Sequence, residues 1–365
     1  MIRMNDFRAD PPELLEAELG ACARVLRSGW YVLGEEVRRF EADWARVCGA
    51  REAVGTGNGL DAIEIGIRSL GLSPGDEIIT TPMTAFATVL GIIRAGATPV
   101  LADIEPDTAL LSPESVERYI SPRTRALLLV HLYGQVRGMD RWGELCRRRE
   151  ILLLEDCAQS HRATWGGRTA GSFGAWGAYS FYPTKNLGAP GDAGALVTSD
   201  PKLAESARAL RNYGQANRYE HVALGLNSRL DELQAAILAV RLEWLEEFTR
   251  RRQEIALCYL DSIDNPRVGL LAPPQQPASH VYHLFVVLSE ERDRLAAYLR
   301  ERGVETLIHY PIPAHRQPAW DCVDRNPAGL PNAERHARQC LSIPCHHNMT
   351  PEQTETVVRA LNEFA

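Results

Sequence analysis

The chain has 365 residues, of which 45% are hydrophobic and 24% are charged, as in an ordinary globular protein. Its net charge of −7 offers no basic field for nucleic acid or an anionic membrane surface, so neither kind of partner is expected. No apolar run reaches the roughly 18–20 residues of a membrane helix, the first residues lack an apolar signal core, and the eight scattered cysteines are typical of free thiols in a reducing compartment. The sequence therefore predicts a cytoplasmic protein.

Two patterns alternate along the first half of the chain: apolar residues at helical spacing, and short apolar runs typical of strands. Short strands buried on both faces, each followed by a helix, favour an open, mostly parallel sheet with helices on both sides. Helices are predicted over residues 11–27, 37–47, 56–70, 86–95, 112–120 and 139–149, and strands over residues 77–81, 98–103, 126–131 and 151–155.

The pattern changes beyond residue 229. A long helix is predicted over residues 230–261, and it precedes a turn-rich stretch. We place a domain boundary within this helix, which divides the chain into a large α/β domain (1–245) and a smaller α+β domain (246–365). The smaller domain is predicted to hold an apolar run at 281–288, a helix at 290–302, a strand at 304–308 and further helices.

Lys185 and Asp156 are the first candidates for chemistry. Lys185 follows an aromatic strand that contains Ser180, and Asp156 ends the apolar run 151–154. A lysine amine can hold the aldehyde of pyridoxal phosphate (PLP) as a Schiff base, and a carboxylate can keep the pyridine nitrogen protonated, which makes the ring an electron sink. A helix N-cap is the structural alternative for Asp156.

A glycine-rich turn, Gly55-Thr-Gly-Asn-Gly59, precedes a predicted helix. Glycines let the backbone approach an anion, and a helix N-terminus offers free N–H groups, so the turn is a candidate phosphate cup or a purely structural turn. It matches neither the dinucleotide fingerprint nor the P-loop, which weakens nicotinamide and ATP as cofactors. Gln159 is placed to reach a ring oxygen, and Ser180 to donate to a phosphate.

The ordered set of segments resembles the DegT/DnrJ/EryC1/StrS sugar aminotransferase family, a group of fold type I PLP enzymes. The resemblance implies an α/β fold, with a mostly parallel seven-stranded sheet between helices and a smaller C-terminal α+β domain. The segments that carry it are Ser28-Gly-Trp-Tyr-Val-Leu-Gly34, Gly55-Thr-Gly-Asn58, Asp76-Glu-Ile-Ile79, Pro99-Val-Leu-Ala-Asp103, His131-Leu-Tyr-Gly134, Glu155-Asp-Cys-Ala-Gln-Ser160, Ser180-Phe-Tyr-Pro-Thr-Lys-Asn-Leu-Gly188, Gly191-Asp-Ala-Gly194, Leu210-Arg-Asn-Tyr-Gly-Gln215 and Gly225-Leu-Asn-Ser-Arg-Leu-Asp-Glu-Leu-Gln-Ala-Ala236.

The resemblance also implies roles. Lys185 is expected to be the Schiff-base lysine and proton shuttle as the cofactor cycles between PLP and pyridoxamine phosphate, with Asp156 on the pyridinium nitrogen. Two chains build each site in this family, so a homodimer is expected. The other implied cofactor contacts are Gln159 to the ring oxygen, Thr56, Gly57, Asn58 and Ser180 to the phosphate, Asn227 to the phosphate of the neighbouring subunit's cofactor, and Ala85 or Phe86 against the ring.

A second resemblance concerns the acceptor. The segment His309-Tyr310-Pro311 is similar to that of family members that aminate carbon 3 of a keto sugar, which implies hexose contacts from His309, Tyr310 and Tyr182. The expected reaction moves an amino group from L-glutamate or L-glutamine to a nucleotide-linked 3-keto hexose, in amino-sugar biosynthesis for an antibiotic or a surface glycan. Further candidates for substrate contacts are Trp30, Tyr31, Arg218 and Tyr219.

Alternatives remain at this level. The acceptor can instead be a 4-keto nucleotide sugar, a keto-cyclitol or an oxidised aminoglycoside pseudo-oligosaccharide. A function of a different class is also open: a non-catalytic regulator with the same fold that senses PLP or a sugar. Cys340, Cys345, His346 and His347 lie close together in the sequence, but no second paired motif supports a metal site, so packed roles are expected for them.

Overall fold

The computed structural model describes residues 1–72, 74–319 and 329–365. Most of the predicted helices are present, with bounds within a few residues of those expected. The helices of the described residues are α1 (Pro12–Ser28), α2 (Glu35–Cys48), α3 (Gly59–Ser69), α4 (Phe86–Arg94), α5 (Pro113–Tyr119), α6 (Met139–Arg149), α7 (Pro201–Leu210), α8 (Glu232–Ser262), α9 (Arg292–Glu301), α10 (Pro331–Gln339) and α11 (Pro351–Asn362).

The strands form one large sheet and three small ones. Those of the large sheet are β1 (Glu52–Thr56), β2 (Glu77–Thr80), β3 (Thr98–Leu101), β4 (Thr124–Val130), β5 (Leu152–Asp156), β8 (Gly177–Ser180) and β9 (Gly194–Thr198). The small sheets use β6 (Thr164–Trp165), β7 (Arg168–Thr169), β10 (Gln215–Asn217), β11 (Glu220–His221), β12 (Gly269–Leu270), β13 (Phe285–Leu288) and β14 (Cys340–Ile343).

The seven strands of the large sheet lie in the order β1-β9-β8-β5-β4-β2-β3. β9 runs antiparallel to both of its neighbours, whereas the other adjacent pairs are parallel. The predicted α/β class with a mostly parallel sheet is therefore confirmed. The parallel register pairs Val130 with Asp156 and Asp156 with Ala178, which brings the carboxyl ends of β4, β5 and β8 to one edge of the sheet.

Apolar side chains cover both faces of this sheet. One core cluster includes Phe40 and Trp44 from α2 and Leu238 from α8. A second cluster, on α3 and α7, includes Ile63 and Leu203. Burial on two sides explains why the central strands are continuous apolar runs without polar alternation.

The C-terminal part has its own antiparallel sheet, β12-β13-β14, and its own apolar cluster. The long helix α8 joins the two parts: Leu245 packs in the first core, whereas Ile255 and Tyr259 pack in the C-terminal cluster. We propose that the domain boundary lies along α8 near residue 245, because the helix changes core there.

Two predictions for this part were wrong. The strand expected over residues 304–308 is replaced by isolated bridges, from Val304 to Ile2 and from Leu307 to Ser342, because the segment finds only single-residue pairings. Conversely, β14 lies where further helices were expected, since its four residues follow α10 directly and pair with β13. Among the described residues, no helix is both long and apolar enough to span a bilayer.

Candidate active site

Asp156 ends β5 at the edge where the parallel strands β4 and β5 finish. Its Oδ2 accepts a hydrogen bond from the Thr88 hydroxyl at 2.7 Å, and its Oδ1 accepts one from the Ala158 N–H at 3.1 Å. Thr84 and Thr88 hydroxyl oxygens are also 2.7 Å apart. Because Thr88 has one hydroxyl proton and gives it to Asp156, Thr84 is the donor to Thr88. Asp156 is thus a buried carboxylate oriented by α4, not an isolated helix cap.

Lys185 lies in a tight turn just beyond β8. Its N–H donates to the Tyr182 carbonyl at 2.8 Å, and a Cβ at Gly188 would fall 2.4 Å from the Pro183 oxygen, so the turn requires glycine there. Part of the Lys185 side chain stays exposed, but the protein around its ammonium lowers the pKa from 10.5 to about 8 by desolvation, and the charge of Asp156 opposes that shift. A lysine with such a pKa holds and releases a proton near neutral pH.

The glycine-rich turn comes close to the end of β8. Asn58 caps α3: its Oδ1 accepts from the Asp61 N–H at 2.8 Å and its amide nitrogen donates to the Asp61 carboxylate at 3.0 Å. Both polar atoms of the Asn58 side chain are therefore hydrogen-bonded to Asp61, so that any contact with an anion would come from the Asn58 backbone. A Cβ at Gly59 would fall 2.7 Å from that of Ser180, so only glycine lets α3 start this close to β8. The structure thus places the start of α3 against Ser180.

Thr56 and Gly57 also have partners within the chain. The Thr56 hydroxyl donates to the Asn58 carbonyl at 2.9 Å, and the Gly57 N–H donates to the Ser228 hydroxyl at 3.0 Å. Ser228 is buried, whereas its neighbour Asn227 is exposed. The two residues face in different directions: Ser228 supports the turn of its own chain, and Asn227 is accessible from outside.

Gln159 links the sheet edge to the C-terminal part. Its Oε1 accepts from the Tyr133 N–H at 2.6 Å, and its amide nitrogen donates to the Tyr310 hydroxyl at 3.3 Å. Burial, together with the charge of Asp156, raises the pKa of Tyr310 to about 12. Burial, together with the Lys185 charge, lowers the pKa of His309 to about 4. His309 and Tyr310 therefore belong electrostatically to the same site as Lys185 and Asp156.

Several of the remaining candidates are exposed in the single chain. Trp30 is 63% exposed and Tyr219 is 80% exposed, and the Arg218 guanidinium lies 5.2 Å from the Tyr219 ring centroid. Tyr31 and Tyr182 are about half exposed. Ala85 immediately precedes α4, whereas the ring of Phe86 packs against the apolar cluster that includes Met83 and Val89.

Two residues, Thr88 and Asn186, have roles that the sequence did not reveal. Thr88 orients Asp156, and the Asn186 side chain ties the lysine turn to the C-terminal part. The amide nitrogen of Asn186 donates to the Val281 carbonyl at 2.9 Å, and its Oδ1 accepts from His283 Nδ1 at 3.3 Å. Proximity to Lys185 in the sequence was a usable signal for Asn186. For Thr88, no local signal was available, because its partner Asp156 lies 68 residues away in the sequence.

The cysteine thiols and the histidines are the remaining candidates for metal ligands. Burial raises the pKa of Cys340 to about 11 and that of Cys345 to about 12, which keeps both thiols protonated. Within the described ranges, His131, Glu155 and Cys157 bring ligand atoms within 4.8 Å of one another. The Glu155 carboxylate already accepts from His131 Nε2 and from the backbone N–H groups of residues 171, 173 and 174, so this buried group is satisfied without a metal ion.

The sequence that forms this site is similar to known proteins over nearly the whole chain. The model of the DegT/DnrJ/EryC1/StrS aminotransferase family matches residues 12–362. The chain belongs to this family. Membership confirms the fold type I architecture, the aminotransferase class and PLP as the cofactor.

Individual members are similar over almost the whole chain. The dTDP-3-amino-3,4,6-trideoxy-alpha-D-glucose transaminase of Streptomyces venezuelae is 45% identical over 363 residues, which are 99% of this chain and 95% of that protein. A protein of Geobacillus stearothermophilus named pleiotropic regulatory protein is 40% identical over 365 residues, 100% and 98% of the two chains. The crystal structure of S. venezuelae DesV in complex with a ketimine intermediate matches with a TM-score of 0.96 at 44% identity, covering 99% of this chain and 98% of that one.

The residues of this aminotransferase fit PLP. The amine of Lys185 suits an aldehyde, the Asp156 carboxylate suits a pyridinium N–H, and the start of α3, packed against Ser180, suits a phosphate. No hydrogen bond joins the Lys185 ammonium to another group in the part of the chain that the structure describes. Lys185 is therefore available for the cofactor without losing a partner.

Proposed function

We propose that this protein transfers the amino group of L-glutamate or L-glutamine to carbon 3 of a nucleotide-linked 3-keto hexose, in the biosynthesis of an amino sugar. One observation supports the proposal above all: Lys185, with a pKa of about 8, lies in the same site as the Asp156 carboxylate and the His309–Tyr310 segment. Bound PLP supplies an aldehyde that accepts the amino group and an electron-poor ring that stabilises charge on the substrate carbon.

Lys185 is the group that moves the proton. At neutral pH an appreciable fraction of its amine is neutral, since its pKa is lowered to about 8. Nζ takes the proton from the α-carbon of the donor and later gives one to the sugar carbon, so a single group serves as base and acid. Thr88 and the Ala158 N–H hold the Asp156 carboxylate in the orientation in which it would face the ring nitrogen.

We propose that residues of the C-terminal part contribute to binding of the acceptor sugar. Tyr310 lies against Gln159 and His309 is held by Ser342, with 2.8 Å between His309 Nδ1 and Ser342 Oγ. The relative that is 45% identical is named as a transaminase of a dTDP-3-amino sugar, which supports amination at carbon 3. We assign the hexose to His309, Tyr310 and Tyr182.

We further propose a homodimer with shared active sites. Asn227 is exposed, and the aromatic side chains of Trp30, Tyr31 and Tyr219 are exposed as well, although apolar surface of this size is usually covered. Asn227 of the partner subunit would contact the cofactor phosphate, and the exposed aromatics would line the shared entrance. A two-fold axis makes both sites equivalent.

A regulatory role is the second candidate, since a relative that is 40% identical carries a regulatory name. A sensor has no need of a proton shuttle. The desolvated lysine beside a hydrogen-bonded carboxylate favours catalysis over sensing.

The deciding experiment runs the transfer backwards with purified, PLP-loaded enzyme. We expect a nucleotide-linked 3-amino hexose to bleach the visible band of the bound cofactor, and the matched 4-amino hexose on the same nucleotide to leave most of it. Bleaching by an aminoglycoside or amino-cyclitol alone would retain the aminotransferase class and reject the nucleotide sugar. Binding of PLP without any change on addition of glutamate, glutamine or the amino sugars would favour the regulator.

A further inference from the structure

Tyr133 occupies an unusual backbone position at the end of β4. Its φ is +62°, in the left-handed region that non-glycine residues rarely adopt, and its side chain is only 1% exposed. A tyrosine persists in such a conformation where its surroundings hold it in place. Four hydrogen bonds do so, one of them from the Leu284 N–H to the Tyr133 carbonyl at 3.4 Å, and they connect two different parts of the molecule.

The Tyr133 hydroxyl reaches the C-terminal part. It lies 2.5 Å from the His309 carbonyl oxygen and 2.8 Å from His336 Nε2. A carbonyl oxygen only accepts, so the single hydroxyl proton goes to His309, and His336 Nε2 must donate to the Tyr133 oxygen. Burial lowers the pKa of His336 to about 4, so the imidazole is neutral at physiological pH and carries its proton on Nε2.

The Tyr133 backbone reaches the cofactor side. Its N–H donates to Gln159 Oε1 at 2.6 Å, and the same glutamine donates to the Tyr310 hydroxyl at 3.3 Å. The contacts form a closed ring: Tyr133 N–H to Gln159, Gln159 to Tyr310, Tyr310 through the peptide bond to His309, and the His309 carbonyl back to the Tyr133 hydroxyl.

The segment 307–314 has other attachments as well: Gln317 Nε2 donates to the Ile312 carbonyl at 3.1 Å, and Ile308 and Tyr310 pack against an apolar cluster. Leu307 N–H donates to the Ser342 carbonyl, Ala314 N–H donates to the Pro82 carbonyl, and the His309 ring contacts Ser342. Among the described residues, Tyr133 is the one that contacts both this segment and Gln159 through hydrogen bonds. It therefore joins the segment to the cofactor side directly, beside these other attachments.

We propose that Tyr133 is a positioning residue for the acceptor sugar: it holds the His309–Tyr310 segment against Gln159. The inference rests on the proposed function, because it assigns the hexose to that segment. Without the hydroxyl, the His309 carbonyl and His336 lose their shared partner and the segment moves more freely, while Lys185 and Asp156 keep all their contacts. The acceptor half of the reaction then depends on Tyr133 far more than the donor half does.

The test compares Tyr133→Phe with a matched control, Tyr259→Phe. Tyr259 is also buried and its hydroxyl also donates to a backbone carbonyl, that of Pro344, at 2.8 Å, but it lies in the C-terminal core. For Tyr133→Phe we expect KM for the keto sugar to rise roughly tenfold, as for one lost buried hydrogen bond. The single-turnover rate with glutamate should change much less, and Tyr259→Phe should leave the ratio of the two half-reactions as in the wild type.

Hydrogen exchange provides a readout that does not depend on activity. In the cofactor-free protein, Tyr133→Phe should speed amide exchange in peptides that cover residues 307–314, and Tyr259→Phe should not. Equal losses in both half-reactions, or unchanged exchange over residues 307–314, would overturn the proposal. If the wild type failed to react with any donor, the proposed function would fall, and the exchange rates would still decide whether Tyr133 holds the segment.

Discussion

The two sides of the active site differ in how completely one chain satisfies them. On the cofactor side, Asp156, Gln159 and the glycine-rich turn are buried and hydrogen-bonded to neighbours in the same chain. On the outer side, Trp30 and Tyr219 stand 63% and 80% exposed. The geometry needed for proton transfer is thus built within one chain, because buried polar groups must find partners there, whereas the aromatic side chains of the outer side have few contacts within the chain.

Replacement of Lys185 should have the largest effect. Lys185→Ala removes the amine that moves the proton, and we expect kcat to fall by at least about 10⁴-fold. The chain offers a matched control, because its lysines are Lys185 and Lys202, and Lys202 lies on the exposed first turn of α7. Borohydride reduction in the presence of PLP should attach the cofactor mass to Lys185 in the wild type and in Lys202→Ala. A label on Lys202 alone would contradict the assignment.

Asp156→Asn should have the next largest effect. The substitution keeps the shape of the side chain and removes the charge that faces the ring nitrogen, so we expect kcat for transamination to fall on the order of 10²-fold. Single-turnover kinetics with glutamate measure this loss. Retention of wild-type rates would mean that another group supplies the charge.

The pH dependence of cofactor capture tests the environment of Lys185. Only the neutral amine attacks the PLP aldehyde, so with a pKa of about 8 the rate should rise about tenfold per pH unit below 8 and level off above it. The Asp156 charge raises the Lys185 pKa, so Asp156→Asn should move the midpoint to lower pH. Stopped-flow absorbance with cofactor-free protein gives the profile. A midpoint near 10.5 would show that the amine is fully hydrated.

Thr88→Val should have a smaller effect of the same kind. It removes the hydroxyl that donates to Asp156 Oδ2 at 2.7 Å but keeps the β-branched shape, and the loss of about 1 kcal/mol corresponds to about fivefold in kcat/KM. Thr84→Val is the control, since Thr84 acts one hydrogen bond further away. An equal loss in both variants would show that the helix, not the hydrogen bond to Asp156, was disturbed.

The smallest effect on stability is expected at the entrance. Tyr219→Ala removes an exposed side chain, so the free energy of unfolding should change by less than about 0.5 kcal/mol in chemical denaturation, while KM for the sugar rises. Leu257→Ala, at a half-exposed position on the C-terminal half of α8, should leave that KM unchanged. A large loss of stability in Tyr219→Ala would show that Tyr219 is covered in the assembled protein.

Sequence patterns were sufficient for much of the fold and for the centre of the site. The predicted strand 151–155 and the observed β5 differ by a single residue at each end, and Asp156 ends that strand as expected. The predictions were wrong where a segment pairs with residues distant in the sequence: Val304 and Leu307 form bridges with Ile2 and Ser342. A run of apolar residues does not reveal whether a neighbouring strand is present for it to pair with.

By itself, then, the sequence determined what depends on local spacing and residue chemistry: the alternation of strands and helices, the glycines that allow close approach, and the Lys185–Asp156 pair. The tertiary structure alone decided which distant groups meet. The hydrogen bond from Tyr133 to the His309 carbonyl spans 176 residues, and that from Thr88 to Asp156 spans 68. Such contacts follow from strand order and side-chain packing, which sum over the whole chain, and no local pattern of residues encodes them.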